Sequence, residues 1–113
     1  MANDLTLNKE YLPVLGLAEL SNAAVKLILG PDSPAVVNNL AFGVQSISGT
    51  GALKVGFDFL ARNGYKVLYV SNPTWGNHNL MAKTAGFTVK SYRYYHVPTK
   101  SVDFEGLKQD LEV

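Results

Sequence analysis

Four consecutive residues near the middle of the chain, Ser48-Gly49-Thr50-Gly51, have the composition of an anion-binding turn. They lie between a segment that predicts a strand and one that predicts a helix, so their N–H groups are expected at the positive end of a helix dipole. The glycines permit close approach of an anion, and two hydroxyls add donors. The pattern indicates a phosphate site, but such turns also occur for purely structural reasons. It is neither the dinucleotide fingerprint nor the Walker motif.

A second polar motif, Asn72 to His78, directly follows an apolar segment that predicts a strand. In open α/β sheets, ligands bind at the carboxyl ends of such strands. Trp75, the sole tryptophan, can stack there on a flat ring; the alternative is a tryptophan in the core or at its rim. A lone histidine such as His78 is more often a hydrogen-bonded structural residue than a catalyst. No carboxylate or cysteine lies close enough in sequence to make it the base of a triad.

Helix and strand patterns alternate around these motifs. Pro13 and the apolar residues that follow it at helical spacing predict a first helix, which ends at Gly30-Pro31. Later segments predict a loop at 31–39, a strand at 42–47, a mostly buried helix at 52–62, a strand at 66–70, a helix at 76–85, a strand at 88–95 and a last helix capped by Asp103.

This order of elements predicts an α/β fold with a largely parallel sheet flanked by helices. Three strands cannot cover both edges of their sheet, and a chain of 113 residues buries a limited core. We therefore expect a single incomplete domain, residues 1–113, that forms part of a larger sheet.

The composition excludes several classes of function. The ten basic residues are scattered and the net charge is +1, so we expect neither a nucleic acid nor an anionic membrane as partner. The chain has no cysteine, and its two histidines, His78 and His96, cannot form a zinc site alone, so no metal is expected. No apolar run reaches the roughly 18 residues of a membrane span.

Four motifs follow one another along the chain: Glu10-Tyr11-Leu12-Pro13 with Gly16-Leu17-Ala18-Glu19, then Val44 to Leu53, then Asn72 to His78, then Ser91-Tyr92-Arg93-Tyr94-Tyr95. In this order and near this spacing they resemble the aspartate aminotransferases, class I enzymes of the fold-type I pyridoxal-phosphate-dependent family. The resemblance runs from about Leu7 to Val113 and covers a small part of a full-length subunit of that family.

The resemblance implies an incomplete piece of the large cofactor-binding domain, and it implies roles for the residues that match. The turn Ser48–Thr50 corresponds to the turn that holds the phosphate of pyridoxal 5'-phosphate. Trp75 corresponds to the ring stacked on the cofactor's pyridine, close to the substrate carboxylate. His78 corresponds to a residue that orients the aspartate bonded to the pyridinium nitrogen. Tyr11 corresponds to a tyrosine that reaches the phosphate of the neighbouring subunit in a homodimer.

The implied activity is transfer of the amino group of L-aspartate to 2-oxoglutarate, giving oxaloacetate and L-glutamate. The implied compartment is the mitochondrial matrix or the cytoplasm, and residues 75–78 slightly favour the mitochondrial members. The family's Schiff-base lysine belongs to a later segment, and none of the eight lysines here lies in that motif. No catalytic residue is therefore assigned, and the piece alone is expected to be inactive, because covalent catalysis with this cofactor needs that amine.

Two other functions stay open. The chain could be a non-catalytic phosphate- or nucleotide-binding α/β domain that uses the Ser48–Gly51 turn. It could also be a truncated isoform that acts only by pairing with full-length subunits. Coding sequence that continues beyond Val113 into the lysine motif would favour the aminotransferase over both.

Overall fold

The structure, a computed structural model, describes Asp4 and residues 10–112. Leu7 and Val113, the limits of the resemblance, lie outside the described residues, as do both ends of the predicted 1–113 domain. The chain forms two compact units, Met1–Ser46 and Ile47–Val113. The single incomplete domain stays a prediction.

The described residues of the first unit include two helices. Helix α1 spans Ala18–Leu29 and begins later than predicted. Pro13 instead begins a tight turn, in which the Gly16 N–H donates to the Pro13 carbonyl at 2.8 Å, and Gly16 has the left-handed φ of 88°. The helix ends, as predicted, at Gly30, whose φ is 86°. The short helix α2, Pro34–Val37, lies within the predicted loop and begins with a proline, which suits the first helical position.

The predicted strand at 42–47 is wrong. No residue of this segment pairs with a strand in the described part of the chain. It is held instead by Gln45, whose N–H donates to the Leu15 carbonyl at 3.0 Å and whose Oε1 accepts from the Leu17 N–H at 2.8 Å. Gly43 packs so tightly against α1 that an added Cβ would lie 3.1 Å from a backbone oxygen of the helix. The segment is thus held by these two hydrogen bonds and by the close approach of Gly43, whereas its large apolar side chains, Phe42, Val44 and Ile47, are exposed.

A small parallel sheet flanked by helices forms the second unit, which confirms the predicted α/β class. Helix α3, Ser48–Arg62, leads to strand β1, Val67–Asn72. Helix α4, Gly76–Thr84, then crosses over to strand β2, Thr88–Arg93. The two strands pair in parallel, in register from Val67 opposite Thr88 to Asn72 opposite Arg93. A crossover helix between parallel strands is the βαβ connection that the alternating sequence pattern predicts.

The core of this unit lies between the sheet and its helices. Val70 of β1, Ala82 of α4 and Phe87 are buried. The Phe57 ring of α3 meets the Phe87 ring edge-on, with centroids 5.9 Å apart and an interplanar angle of 66°. The prediction that α3 is mostly buried is wrong, because none of its residues is buried and Phe59 is 61% exposed. Only the face of α3 that carries Phe57 is covered in the described chain.

The end of the chain departs from the predicted single strand at 88–95. Strands β3, Tyr95–His96, and β4, Ser101–Val102, form a short antiparallel hairpin that the sequence analysis missed. Helix α5, Phe104–Leu111, follows, and the Asp103 carboxylate caps it as predicted by accepting from the Gly106 N–H at 2.9 Å. None of the helices in the described ranges has the length and apolar character of a membrane span.

Candidate anion-binding site

The Ser48–Gly51 turn is the first turn of α3. The helix begins at Ser48 rather than at the predicted Ala52, because the Gly51 N–H already donates to the Ile47 carbonyl at 3.0 Å. Among residues 10–112, no acceptor takes the N–H groups of the three residues before Gly51. The positive end of the helix dipole therefore presents three free donors in a row.

Ser48 has a φ of 58°, in the left-handed region that residues other than glycine rarely adopt. This conformation costs a non-glycine residue roughly 1–2 kcal/mol, and such strain concentrates at ligand sites. Gly49 borders open space, since an added Cβ would meet no atom within 4 Å. Packing within the described chain therefore does not require a glycine there. A backbone open in this way permits the close approach of a ligand.

The charge distribution of this region favours an anion. Neither α3 nor α4 has an acidic residue in its first turn. Ser48 is exposed and Thr50 is half-buried, so both hydroxyls border the helix end without being enclosed. No group of three or more His, Asp or Glu residues in the described ranges could hold a metal ion. A donor set of this kind is suited to binding a phosphate.

Trp75 and His78 lie at the junction of β1 and α4. Trp75 precedes the first residue of α4 and is 52% exposed, so part of its indole is open for stacking. The two rings meet edge-on, with centroids 5.5 Å apart and an interplanar angle of 88°. The hydroxyl of Thr74 and Nδ1 of His78 are 2.6 Å apart, which fixes the orientation of the imidazole. Nε2 of His78 has no hydrogen-bond partner among the residues that the structure describes.

One hydrogen bond joins the turn to the second motif. The Asn77 side-chain amide, in the first turn of α4, donates from Nδ2 to Oγ1 of Thr50 at 3.0 Å. This hydrogen bond places the N-termini of α3 and α4 side by side. Ser48–Thr50 and Trp75–His78 lie at these two ends. Sequence reasoning had singled out neither Asn77 nor Thr74. The i to i+4 spacing of Thr74 and His78 could have indicated their contact, whereas nothing local indicates a bond across 27 residues.

A cavity of about 270 Å³ lies beside His78, between α3 and the sheet. Aromatic and aliphatic side chains form most of its wall, and Thr74 and His78 of the second motif also line it. Its lining residues are Phe57, Leu68, Tyr69, Val70, Ser71, Thr74, His78 and Tyr92. The imidazole is therefore held by Thr74 on one side and borders open space on the other.

Tyr11 belongs to the first unit and not to the unit that carries the turn. Its side chain is fully exposed, and its hydroxyl has no hydrogen-bond partner among residues 10–112. The predicted contact with the phosphate of a neighbouring subunit stays a prediction.

Family membership follows from the whole sequence rather than from the site alone. The family model for aminotransferase class I and II matches residues 2–113. The chain belongs to this family. Class I and II aminotransferases generally depend on pyridoxal phosphate, whose phosphate agrees with the donor set at the start of α3 in this aminotransferase chain.

Curated relatives of this aminotransferase chain include two aspartate aminotransferases. The cytoplasmic enzyme of Caenorhabditis elegans is 52% identical over an alignment of 114 positions, which covers 99% of this chain and 28% of the relative. The chloroplastic aspartate aminotransferase 3 of Arabidopsis thaliana is 49% identical over 112 residues, which are 98% of this chain and 25% of the relative. The chain thus spans about a quarter of the length of these relatives.

Solved structures of aminotransferases share the fold. Aspartate aminotransferase from the cytoplasm of Saccharomyces cerevisiae has a TM-score of 0.87 and 38% identity, and the match covers 96% of this chain and 26% of that one. Aromatic-amino-acid aminotransferase from Burkholderia pseudomallei, covalently bound to pyridoxal phosphate, has a TM-score of 0.84 and 40% identity over 91% and 26% of the two chains. These matches confirm the aminotransferase resemblance stated from the motifs.

Proposed function

We propose that this chain is a piece of a longer aspartate aminotransferase, to which it contributes the phosphate-binding turn and the stacking ring of the pyridoxal-phosphate site. The observation that carries the proposal is the Asn77–Thr50 hydrogen bond, because it assembles two separate motifs into one polar site. The 52% identity to an aspartate aminotransferase supports the same conclusion.

The residues present fit the phosphate of this cofactor. A helix end carries a partial charge of roughly +0.5, and three free N–H groups and two hydroxyls surround it without a carboxylate in the first turn. Each hydrogen bond from such a donor to a charged group contributes roughly 1.5–3 kcal/mol. Ser48, Gly49 and Thr50 therefore bind the phosphate and fix the cofactor at one end.

Trp75 and His78 are assigned to the ring of the cofactor. When bound, pyridoxal phosphate supplies an electron sink for chemistry at the substrate's α-carbon. The half-exposed indole of Trp75 offers a flat apolar face on which a pyridine ring and the substrate carboxylate region can pack. His78, fixed through Nδ1 by Thr74, holds Nε2 in a defined direction for a further polar partner in the longer protein. Covalent attachment of the cofactor and proton transfer are assigned to no residue of this chain.

The substrates, the dimer and the compartment are further parts of the proposal. Aspartate and 2-oxoglutarate are favoured because the C. elegans, A. thaliana and yeast relatives are aspartate aminotransferases. Tyr11 is assigned to the homodimer contact. Of the two predicted compartments, the C. elegans and yeast names support the cytoplasm, and none of the names reported above supports the slight preference for mitochondria.

A comparison of amino donors tests the proposal. The full-length protein that carries this chain should transaminate 2-oxoglutarate with aspartate faster than with phenylalanine, and the isolated 113-residue chain should turn over neither. A preference for phenylalanine would replace the aspartate assignment by that of an aromatic aminotransferase. Binding of ATP or inorganic phosphate, with no transamination by the full-length protein, would favour the phosphate-binding domain instead.

A further inference from the structure

The Thr50 hydroxyl uses only part of its hydrogen-bonding capacity. A hydroxyl has one proton to donate and two lone pairs that accept. The Asn77 amide occupies one lone pair, since its Nδ2 donates to Oγ1 at 3.0 Å. Both side chains are half-buried, so exchange of this bond for bulk water is restricted. The hydroxyl proton must therefore point away from Asn77.

The usual local acceptor does not take this proton. A threonine in a helix often donates back to the carbonyl three or four residues earlier, and Thr84 of α4 does so, at 2.9 Å from the Met81 carbonyl. Thr50 makes no such bond among the described residues, and the Ile47 carbonyl already accepts from the Gly51 N–H. The proton is available for a ligand at the end of α3.

We propose that Asn77 is a positioning residue for the cofactor's phosphate. Its amide fixes the Thr50 oxygen as an acceptor, so that the hydroxyl proton is directed into the cluster of N–H donors at the start of α3. The same bond holds the N-terminus of α4 beside that of α3, so two positive helix ends act on one anion. This inference rests on the proposed function, because it requires the phosphate to bind at this turn.

Phosphate selectivity in the full-length protein tests the role of Asn77. Dissociation constants of the apoprotein are measured for pyridoxal phosphate and for pyridoxal, which lacks the phosphate. Asn77→Leu removes one orienting hydrogen bond. It should raise the dissociation constant of pyridoxal phosphate about fivefold and leave that of pyridoxal unchanged. Asn79→Leu is the matched control, because Asn79 is a half-buried asparagine of the same helix that makes no hydrogen bond to Thr50. It should change neither constant.

A double-variant cycle separates positioning from a general structural role. In a Thr50→Val background there is no hydroxyl to orient, so adding Asn77→Leu should change the affinity for pyridoxal phosphate by less than about twofold. Asn77→Asp has nearly the size of the native residue, but it reverses the direction of the bond and adds a negative charge beside the phosphate. A carboxylate only accepts, so it draws the Thr50 proton to itself. This variant should raise the dissociation constant of pyridoxal phosphate at least as much as Asn77→Leu does.

Three results would overturn the inference about Asn77. The first is that Asn77→Leu lowers the affinities for pyridoxal and pyridoxal phosphate equally. The second is that Asn77→Leu lowers the affinity for pyridoxal phosphate as much in the Thr50→Val background as in the wild type. The third is that Asn77→Asp keeps full affinity for pyridoxal phosphate. A different result would contradict the proposed function itself: unchanged binding of pyridoxal phosphate in Thr50→Val alone. The two failures are therefore distinguishable in one set of titrations.

Discussion

Removal of both hydroxyls from the first turn of α3 is the sharpest test of the phosphate site. In the double variant Ser48→Ala, Thr50→Val, two donors to a charged phosphate are lost while three backbone N–H groups remain. At roughly 1.5–3 kcal/mol for each bond to a charged group, the loss is about 3–6 kcal/mol. The dissociation constant of pyridoxal phosphate should therefore rise between about 10² and 10⁴ fold.

The assay is a titration of the full-length apoprotein with pyridoxal phosphate, followed by absorbance or fluorescence. Thr84→Val is a suitable control, because this hydroxyl is already bonded to the Met81 carbonyl and lies at the far end of α4. It should leave the dissociation constant within about twofold of the wild type. A double variant that binds as tightly as the wild type would refute the assignment of this turn to the phosphate.

Three further expectations concern the Trp75 ring, the Asp103 cap of α5 and the pair formed by Arg93 and Asp110. Trp75→Phe should keep part of the stacking and lower aspartate turnover moderately, and Trp75→Ala should lower it further, because the aromatic face disappears; equal steady-state rates in all three proteins would remove Trp75 from the site. Asp103→Ala should lower the free energy of unfolding by about 1 kcal/mol, measured in urea, because the Gly106 N–H loses its cap. The Arg93 guanidinium and backbone N–H donate hydrogen bonds to the Asp110 carboxylate and lower its pKa from the ordinary 3.8 to about 2. The stabilisation from this carboxylate is therefore complete above about pH 4 and is lost as the pH falls toward about 2. Asp110→Asn should accordingly lower stability at neutral pH, and a difference from the wild type that persists unchanged at pH 2 would contradict this.

Elements whose sequence signals are local were predicted with the correct type. The crossover α4, the pairing strands β1 and β2 and the capped helix α5 all carry their signals within a few adjacent residues. The segment at 42–47 has the apolar composition of a strand, but composition does not reveal whether a partner strand exists. The hairpin of β3 and β4 was missed because its strands have only two residues each.

In the candidate site, too, local features were predicted and contacts between distant residues were not. Local patterns indicated the Ser48–Gly51 turn and the Trp75–His78 motif separately, each from its own residues. Their contact through Asn77 depends on how α4 packs against α3, which a sequence pattern of either helix does not contain. The left-handed φ of Ser48 was likewise not predictable, because a serine at this position usually adopts an ordinary backbone conformation.

The hydrogen bond between Asn77 and Thr50 also couples ligand binding to local opening of α4. Any fluctuation that unwinds the first turn of this helix breaks the bond and releases the Thr50 hydroxyl. A ligand that needs this hydroxyl in place therefore binds the protein when the first turn of α4 is intact. It disfavours the state in which this turn is unwound. Amide hydrogens of α4, a helix that carries none of the phosphate donors assigned above, would then exchange more slowly with solvent deuterium once a phosphate is bound at α3.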